Sequence, residues 1–349
     1  MMRPPSELAS LFRDHWRRHF APPAGSRVLV AVSGGLDSMV LLALLARDRA
    51  AGDLEVVAAH FDHGTRGADS AADGRFVAAV ARRWGVRARL GRGDAPGRAR
   101  RTGRGPMAAA RELRYAFLRE TAGKEEAALV VTAHQRDDLV ETVLLRLVRG
   151  TSPDGLAALR PLDELDGLPL ARPLLPFRRA AIAAFAEATA VPFREDPSNA
   201  DPRYPRTRMR REVLPLLEDL NPRVDEAVVR LAGLAAVDAA YLGARADELL
   251  DAATLDRDRV AWRLRARRLA GEPDAVLSRA VLRGWAWAAP AGAAPPNAAW
   301  IEGALEFLRG GRGGRVPCPG GGSLARTGPE VVFRRAPARG RSRTVARSR

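Results

Sequence analysis

The sequence predicts an α/β protein in which a mostly parallel sheet is followed by a separate helical domain. From Arg27 to about Val191, short β-rich runs alternate with longer runs that place apolar residues at helical spacing. From Glu226 to about Leu308, the chain is rich in Ala, Leu and Arg and has helical periodicity without strand alternation. Because 349 residues that are 46% hydrophobic exceed one compact core, two or three packed domains are expected.

The elements of the first region can be located from their residue patterns. The candidate strands are Arg27–Val32, Leu54–Phe61, Val86–Leu90 and Leu129–Ala133. The candidate helices are Asp37–Ala46, Ser70–Trp84, Met107–Thr121 and Asp138–Val148. Strands that alternate with helices favour a parallel sheet covered on both faces. Ligands on such sheets bind beyond the carboxyl ends of the strands, so we expect the chemistry in the loops that follow them.

The later elements are assigned from composition and turn residues. Tyr204 to Leu220 has the pattern of a helix that ends at Asn221-Pro222, and the turn-rich stretch Val316–Phe333 predicts a short terminal β-hairpin. We therefore expect a catalytic domain over residues 1–222, a helical domain that ends in the hairpin over 223–333, and a basic disordered tail over 334–349.

The stretch Gly91–Pro106 is predicted to be a mobile basic loop. Its sequence, GRGDAPGRARRTGRGP, is dominated by Gly, Pro and Arg and offers too little apolar surface to bury. A solvated surface excursion and a functional lid are both compatible with this composition.

The charge balance favours an anionic partner. The chain has 57 basic and 41 acidic residues, and Lys124 is its one lysine, so nearly all of the positive charge is guanidinium. A planar guanidinium can donate two hydrogen bonds to one phosphate, which makes a nucleic-acid partner a reasonable expectation. The single cysteine, Cys318, excludes a disulfide framework within the chain. With no long apolar run and no secretory signal pattern, the sequence predicts a soluble cytoplasmic protein without a membrane partner.

The strongest signal is a glycine-containing loop between the strand VLVAV and the helix LDSMVLLALLA. Glycines at a strand-to-helix turn let backbone N–H groups approach phosphate oxygens, and the helix N-terminus adds a favourable partial charge. A carboxylate beside phosphate is repelled unless a divalent cation bridges the two, so Asp37 predicts Mg²⁺. The alternative is a turn in which Ser or Asp caps the next helix. The loop residues are Ser33, Gly34, Gly35, Leu36, Asp37 and Ser38.

Histidines and acids follow the next predicted strand. The run HFDHGTRG spans residues 60–67, and Ser70 and Asp73 open the following helix. This fold would present the run to the phosphate loop. Taken alone, His60 and His63 are more simply explained as structural residues, because two histidines without further ligands do not make a metal site.

A carboxylate pair follows the fourth predicted strand, in the segment TAHQRDDLVET at residues 132–142. Asp138 and Glu141 are three residues apart, so they share one face of the first helical turn. Two carboxylates at this position either interact with the helix dipole or form a pocket for a cationic substrate. The residues alone leave both interpretations open.

These motifs together resemble one family. The loop lacks the GxxxxGK[ST] spacing of a Walker-type phosphate loop. It instead resembles the PP-loop of the N-type ATP pyrophosphatases, which cleave ATP between the α and β phosphates and transfer AMP to a substrate oxygen. Over about the first 220 residues, the motif order is similar to that of the short form of the bacterial tRNA(Ile)-lysidine synthetases. The segments are SGGLDS, HFDHGTRG, AARELRYAFL, TAHQRDDLVETVLLRLVRGT and REDPSNADPRYPRTRMRREVLPLLEDLNP.

The resemblance implies a PP-loop domain of the adenine nucleotide α-hydrolase-like fold, and a reaction. ATP would adenylate the C2 oxygen of the wobble cytidine, position 34, of AUA-decoding tRNA(Ile). The ε-amino group of free L-lysine would then displace AMP and give lysidine. The implied cofactors are ATP and Mg²⁺, and the implied partner is tRNA(Ile) with a CAU anticodon, bound in part by the helical domain. A homodimer is one assembly that the sequence leaves open.

The resemblance also implies roles for individual residues. Ser33, Gly34, Gly35, Leu36, Asp37, Ser38 and His60 would bind the nucleotide, with Asp37 also holding Mg²⁺. Asp37, His134, Arg111 and Arg114 would be catalytic, Asp138 and Glu141 would bind lysine, and Arg206, Arg208 and Arg210 would bind tRNA.

Other functions fit these residues less well. A base-thiolating enzyme of the same superfamily would need catalytic or cluster-bearing cysteines, whereas Cys318 lies in a Pro/Gly-rich turn at the far end of the chain. Synthesis of NAD or GMP would need ammonia, and direct use of free ammonia stays open. A non-catalytic RNA-binding protein would gain nothing from Asp37 and the carboxylate pair beside a phosphate site.

Overall fold

The computed structural model describes residues 5–49, 54–64, 68–103, 105–165, 167–195, 203–290, 292–311 and 313–336. The chain divides into two compact units, Met1–Ala236 and Val237–Arg349. Each unit has its own hydrophobic core. The domain limits given above stay predictions.

The first unit is built on a six-stranded sheet. Its strands are β1 (Arg27–Ala31), β2 (Glu55–Asp62), β3 (Arg87–Arg92), β4 (Leu129–Val131), β5 (Leu162–Leu165) and β6 (Leu168–Ala171). They lie in the order β3-β2-β1-β4-β6-β5. Neighbouring strands are parallel except that β5 is antiparallel to β6. The carboxyl ends of five strands therefore lie at one edge of the sheet.

Helices cover both faces of this sheet: α1, α2, α3 and α8 share one core with its strands, and α5 shares the other. The helices are α1 (Pro5–His19), α2 (Leu36–Arg49), α3 (Ala68–Arg83), α4 (Ala95–Thr102), α5 (Pro106–Lys124), α6 (Arg136–Arg149), α7 (Pro153–Leu156), α8 (Arg179–Ala188), α9 (Pro205–Arg208), α10 (Leu214–Leu220) and α11 (Val224–Ala253), whose residues from Val237 onward belong to the second unit. Alternate residues of β1 point to opposite faces: Val28 and Val30 join the core formed with α1, α2 and α8, and Leu29 joins the core formed with α5. This double burial explains the continuous apolar runs of the central strands.

The predicted α/β fold class is confirmed. All four predicted strands and all four predicted helices are present, with ends that differ by a few residues. The helix predicted over Tyr204–Leu220 is present as α9, a five-residue π-helical segment at Met209–Val213, and α10. It ends at Asn221, as predicted.

The prediction of a mobile loop over Gly91–Pro106 was wrong for the described residues. The strand β3 continues to Arg92, α4 follows, and α5 begins at Pro106. The side chain of Asp94 caps α4 by accepting a hydrogen bond of 2.8 Å from the N–H of Gly97. The composition concealed this local signal, because an Asp two residues before a Pro is a helix start even within a glycine-rich stretch.

The second unit contains more sheet than the predicted hairpin. Its elements are β7 (Thr254–Arg257), β8 (Ala261–Arg265), α12 (Ala266–Leu269), α13 (Asp274–Ala288), α14 (Ala298–Arg309), β9 (Gly314–Pro317), β10 (Ser323–Thr327) and β11 (Glu330–Arg334). The hairpin of β10 and β11 is present, but it belongs to a five-stranded antiparallel sheet in the order β7-β8-β11-β10-β9. The absence of strands between Glu226 and Leu308 was therefore a wrong expectation, because β8 is short and its pairing with β11 is a contact distant in sequence.

The disordered tail predicted over residues 334–349 was set to begin too early, because Arg334 is the last residue of β11 and pairs with Ala261. Residues 337–349 of that tail lie outside the described residues. Among the described helices, α11 alone is long and apolar enough to cross a membrane. One helix of this kind does not establish a membrane span, because core helices of soluble proteins have the same length and composition. Residues Val228 and Ala232 of α11 belong to a buried cluster of the first unit.

Candidate active site

The phosphate loop lies at the carboxyl end of β1, where β1 turns into α2. Gly34 has φ of +93°, a left-handed conformation that favours glycine. The hydroxyl of Ser38 accepts a hydrogen bond of 3.1 Å from the N–H of Ser33 and donates one of 2.9 Å to the carbonyl of Gly35. These hydrogen bonds fix the shape of the loop, so Ser33 and Ser38 stabilise its conformation.

Asp37 stands in the first turn of α2 as a mostly buried carboxylate. Its Oδ2 accepts a hydrogen bond of 3.1 Å from Nη1 of Arg179, and its Oδ1 is buried without a hydrogen-bond partner among the described residues. Burial raises the pKa of Asp37 to about 6; Arg179 opposes this rise, and the charges of Asp138 and Asp137 add to it. A further cation would stabilise the charged form of this carboxylate, which has an unpaired oxygen and two acids nearby.

The loop fits Mg²⁺ through that unpaired oxygen. Among the described residues, no group of three or more His, Cys, Asp or Glu is arranged to hold a metal ion. A cation at Asp37 would therefore need oxygen ligands from elsewhere, as Mg²⁺ has when it binds one carboxylate together with substrate phosphates and water.

His60 and Asp73 support the loop from the side of β2 and α3. The ring Nδ1 of His60 lies 2.9 Å from the carbonyl oxygen of Val32, the residue before the loop. Burial lowers the pKa of His60, so the ring is neutral at pH 7. Asp73 pairs with Nε of Arg194 at 3.1 Å, and the N–H of Arg194 donates to the carbonyl of Gly34 at 2.9 Å. Residues 65–67 of this predicted cluster lie outside the described residues.

The start of α6 shows that Asp138 has a capping function and a free side. Gln135 and Asp138 form a capping box, in which Oδ2 of Asp138 accepts a hydrogen bond of 3.1 Å from the N–H of Gln135. Among the described residues, its Oδ1 has one long contact, of 3.6 Å, to Nη2 of Arg206. The two interpretations of this carboxylate are thus compatible, since one oxygen caps the helix and the other faces Arg206.

Glu141 is fully buried and is held by two arginines. Its Oε2 accepts a hydrogen bond of 2.9 Å from Nε of Arg206, and its Oε1 accepts one of 2.6 Å from Nε of Arg210. Arg206 also donates to the hydroxyl of Thr142 at 3.0 Å. Two residues predicted to face tRNA therefore lie on a carboxylate predicted to bind lysine.

The third arginine of that segment points elsewhere. Arg208 pairs with Glu212, four residues on, at 3.0 Å, and both side chains are exposed. Helical spacing explains the division, because residues 206 and 210 lie on one face of the helix and residue 208 on another. The structure thus places Arg206 and Arg210 at the site and Arg208 on the surface.

His134 lies next to the carboxylates as a neutral ring. Burial lowers the pKa of His134 to about 4; the charge of Asp138 opposes this, and the charges of Arg172, Arg114 and Arg206 lower it further. Its Nδ1 lies 3.0 Å from the hydroxyl of Thr132. At pH 7 the ring carries no charge that would repel a cation at Asp138.

Arg111 and Arg114 form a basic group on α5. Their guanidinium carbons lie 4.6 and 5.4 Å from the ring centre of Tyr115. Burial lowers the pKa of Arg114, Tyr115 partly compensates, and the charge of Arg111 lowers it again. Burial and Arg111 also lower the pKa of Arg146 on α6. Guanidiniums that repel one another in this way are suited to an anionic ligand.

Three contributors to the site were missed in the sequence. Arg179 pairs with Asp37, Asp137 adds negative charge beside it, and Arg194 hydrogen-bonds the loop through its backbone. Arg179 follows β6 and begins α8, so its position after a sheet strand was a signal once β6 had been recognised. Asp137 stands in the same first turn of α6 as Asp138, so the same helix-start pattern could have indicated it. The motif that contains Arg194 gave no indication of a contact with Gly34.

Comparison with known proteins places this site in a family. The chain matches the family model described as PP-loop domain (ATP_bind_3) over residues 8–217. It is 39% identical over 246 residues to a tRNA(Ile)-lysidine synthase of Thermosynechococcus vestitus, covering 70% of this chain and 69% of that protein. The chain belongs to the tRNA(Ile)-lysidine synthase family of PP-loop proteins. All the site residues from Ser33 to Arg210 lie within the region that the PP-loop model matches.

A second relative and one solved structure show how far the similarity extends. A tRNA(Ile)-lysidine synthase of Thermotoga sp. (strain RQ2) is 41% identical over 207 residues, covering 59% of this chain and 49% of that protein. The chain therefore spans about half the length of that curated family member. A solved U34-tRNA thiolase, NcsA from Methanococcus maripaludis, has a TM-score of 0.55 at 20% identity, covering 65% of this chain and 78% of that one. At that identity the likeness shows the fold alone.

Proposed function

We propose that this protein ligates lysine to C2 of cytidine 34 in AUA-decoding tRNA(Ile), with ATP as the activating substrate. The reaction would proceed through an adenylated cytidine and would release pyrophosphate and AMP. The observation that carries the proposal is the position of Asp37: it joins the phosphate loop to the acidic group of α6, with Asp138 and Asp137 close enough to raise its pKa. One edge of the sheet thus holds a nucleotide loop and acids suited to an amino-acid cation.

The nucleotide would lie on the loop between β1 and α2. The loop amides and the N-terminus of α2 would bind phosphate oxygens, because the first amides of a helix lack intrahelical partners. Asp37, through its unpaired Oδ1, would hold Mg²⁺. When bound, the metal ion supplies positive charge that offsets the charge on the phosphates during cleavage between the α and β phosphates.

The amino acid would lie on the acidic side of α6. A lysine that reaches Glu141 must displace a guanidinium from a hydrogen bond of 2.6 or 2.9 Å. One that reaches Oδ1 of Asp138 meets, in the part of the chain that the structure describes, the longer 3.6 Å contact of Arg206. We therefore assign first contact with the ε-ammonium group to Asp138. Glu141 would keep Arg206 and Arg210 in place and contribute negative charge to the pocket.

The remaining polar groups would act on the reacting centre. His134 is neutral, so its ring can accept a hydrogen bond from the ammonium group without repelling it. Arg111 and Arg114 would stabilise negative charge that develops during transfer of AMP. The target base would have to leave the anticodon stack to reach these groups, as enzymes that act on a base generally require.

Base thiolation is the nearest competing function, and Cys318 argues against it. This cysteine belongs to the second unit and is buried, and burial raises its pKa to about 11. A thiol in that state is a poor nucleophile at neutral pH, and the sequence contains no second cysteine.

The test is a ligation assay with labelled lysine, ATP and a tRNA(Ile) transcript that carries C34. We expect lysine to become covalently bound to RNA with release of one pyrophosphate for each lysine. A matched transcript with U34 serves as the control and should accept no lysine. Pyrophosphate release without lysine incorporation, or equal labelling of both transcripts, would contradict the proposal.

A further inference from the structure

Helix α4 follows β3 and so lies at the same edge of the sheet as the candidate site. The segment before it is held by β2, because the N–H of Gly93 donates to the carbonyl of Asp62 at 2.8 Å and the N–H of Ala95 donates to that of His63 at 3.1 Å. The next helix, α5, carries Arg111 and Arg114. The charge of Arg114 acts on both His63 and His134, so α5 lies beside the site, and Arg98 of α4 hydrogen-bonds Glu112 of α5.

The inner face of α4 is fixed, and this determines where its arginines lie. Ala95, Gly97 and Ala99 are buried. A Cβ at Gly97 would lie 1.7 Å from Oδ2 of the capping Asp94, so the cap requires glycine at that position. Arg98 joins α4 to α5 through a hydrogen bond of 2.6 Å to Glu112.

The outer end of α4 presents Arg100 and Arg101 to solvent. Both side chains are exposed, and within the described residues Arg101 lies 3.8 Å from one acid, the exposed Asp94. Exposed pairs of this kind contribute little stability. From residue 92 to residue 114 the sequence contains seven arginines and two acids. This stretch of sequence therefore has an excess of five positive charges over its own acids.

We propose that Arg100 and Arg101 bind the sugar–phosphate backbone of the RNA substrate next to the target base. This inference rests on the proposed function, which brings an RNA loop to the same edge of the sheet. Paired guanidiniums on a short, capped helix suit phosphodiester oxygens, because each can donate two hydrogen bonds to one phosphate. Phosphate contacts position an RNA without reading its sequence, so α4 acts on binding and register and leaves the identity of the base to the pocket.

The chain offers a matched control for this inference. Arg82 and Arg83 occupy the last turn of α3, as Arg100 and Arg101 occupy the last turn of α4. They are exposed as well, but they precede β3 and so lie at the opposite edge of the sheet. The variants R100Q/R101Q and R82Q/R83Q remove the same charge from the same helical position at the two edges.

The experiment measures the dissociation constant of the C34 transcript by filter binding from 50 to 200 mM salt, together with KM for tRNA and for ATP. For R100Q/R101Q we expect the dissociation constant and KM for tRNA to rise about tenfold and the slope of log K against log salt to fall by about two, one for each lost phosphate contact. KM for ATP should stay unchanged. R82Q/R83Q should remain within about twofold of wild type, and R100K/R101K should recover most of the binding.

Each outcome separates this inference from the proposed function. Equal weakening of RNA binding in the two glutamine variants would mean a general effect of net charge and would overturn the role of α4. Unchanged binding in R100Q/R101Q would overturn it as well. A wild-type protein that binds the transcript through α4 but ligates no lysine would refute the proposed function and leave the binding surface standing.

Discussion

Two buried glutamates, one at each edge of the first sheet, are held by pairs of arginines and yet have different surroundings. Glu125 precedes β4 at the amino edge and pairs with Arg87 at 2.9 Å and Arg89 at 2.5 Å. Glu141 lies in α6 at the carboxyl edge and pairs with Arg206 and Arg210. By their immediate contacts alone, the two could not be told apart as structural or functional.

The difference lies in the groups around each pair. Burial raises the pKa of Glu125, but the hydrogen bonds and charges of Arg89 and Arg87 outweigh burial and leave that pKa below its ordinary value. At the carboxyl edge, burial and neighbouring acids raise the pKa of Asp37, whose Oδ1 has no partner among the described residues. Both carboxylate oxygens of Glu125 are paired, whereas one buried oxygen of Asp37 has no partner among the described residues.

The comparison teaches that paired buried charges do not by themselves mark a site. A paired carboxylate without unpaired acids around it serves the fold. Unsatisfied acids held beside an anion-binding loop indicate a place where ligands complete the electrostatics.

The variant Asp37→Asn should reduce lysine ligation at least about a thousandfold, because loss of metal-held phosphate charge removes several kcal/mol of transition-state stabilisation. Ligation rates at saturating ATP measure the effect. The control is Asp274→Asn, since Asp274 also stands in the first turn of a helix and pairs with an arginine, Arg309. Turnover of Asp37→Asn within a few-fold of this control would reject the role of Asp37.

Glu141→Gln and Glu125→Gln test the two edges directly. Each change leaves two guanidiniums without their carboxylate, so each should lower the free energy of unfolding by about 2–3 kcal/mol. Only Glu141→Gln should also raise KM for lysine, by about 10- to 100-fold. Urea unfolding and lysine titrations provide the two measurements. If both variants change KM for lysine equally, the distinction between the edges is wrong.

The pH dependence should follow Asp37. Its pKa lies above the ordinary value of 3.8, at about 6, so the carboxylate needed for Mg²⁺ becomes protonated as the pH falls through about 6. We expect kcat/KM for ATP to be level above pH 7 and to decrease about tenfold for each pH unit below 6. His134, with a pKa of about 4, does not titrate in that range. A level profile down to pH 5, in protein that circular dichroism shows to be folded, would contradict the assignment.

The smallest effect is expected outside both edges. Cys318→Ala removes a buried thiol of the second unit, so ligation should stay within about twofold of wild type. The same ligation assay measures this, with the melting temperature as a check on folding. Loss of all modification of the tRNA in this variant would favour sulfur transfer.

The sequence was sufficient for features that depend on neighbouring residues. The phosphate loop, the carboxylate pair of α6 and the central strands follow from local spacing and patterning. It was insufficient where distant residues meet: Arg206 lies 65 residues after Glu141, and no periodicity indicates that their side chains hydrogen-bond. Composition misled at α4, where the Asp94 cap outweighs the glycines, and β8 was missed because it is paired by the distant strand β11.

The most direct test of the central claim uses ATP labelled at the α-phosphate, the C34 transcript and no lysine. If the carboxyl edge activates the base, wild-type protein should transfer labelled AMP to the RNA, and added lysine should release that label as free AMP. RNA that stays unlabelled, or label that lysine does not discharge, would contradict the claim that this edge joins ATP, cytidine and lysine in one reaction.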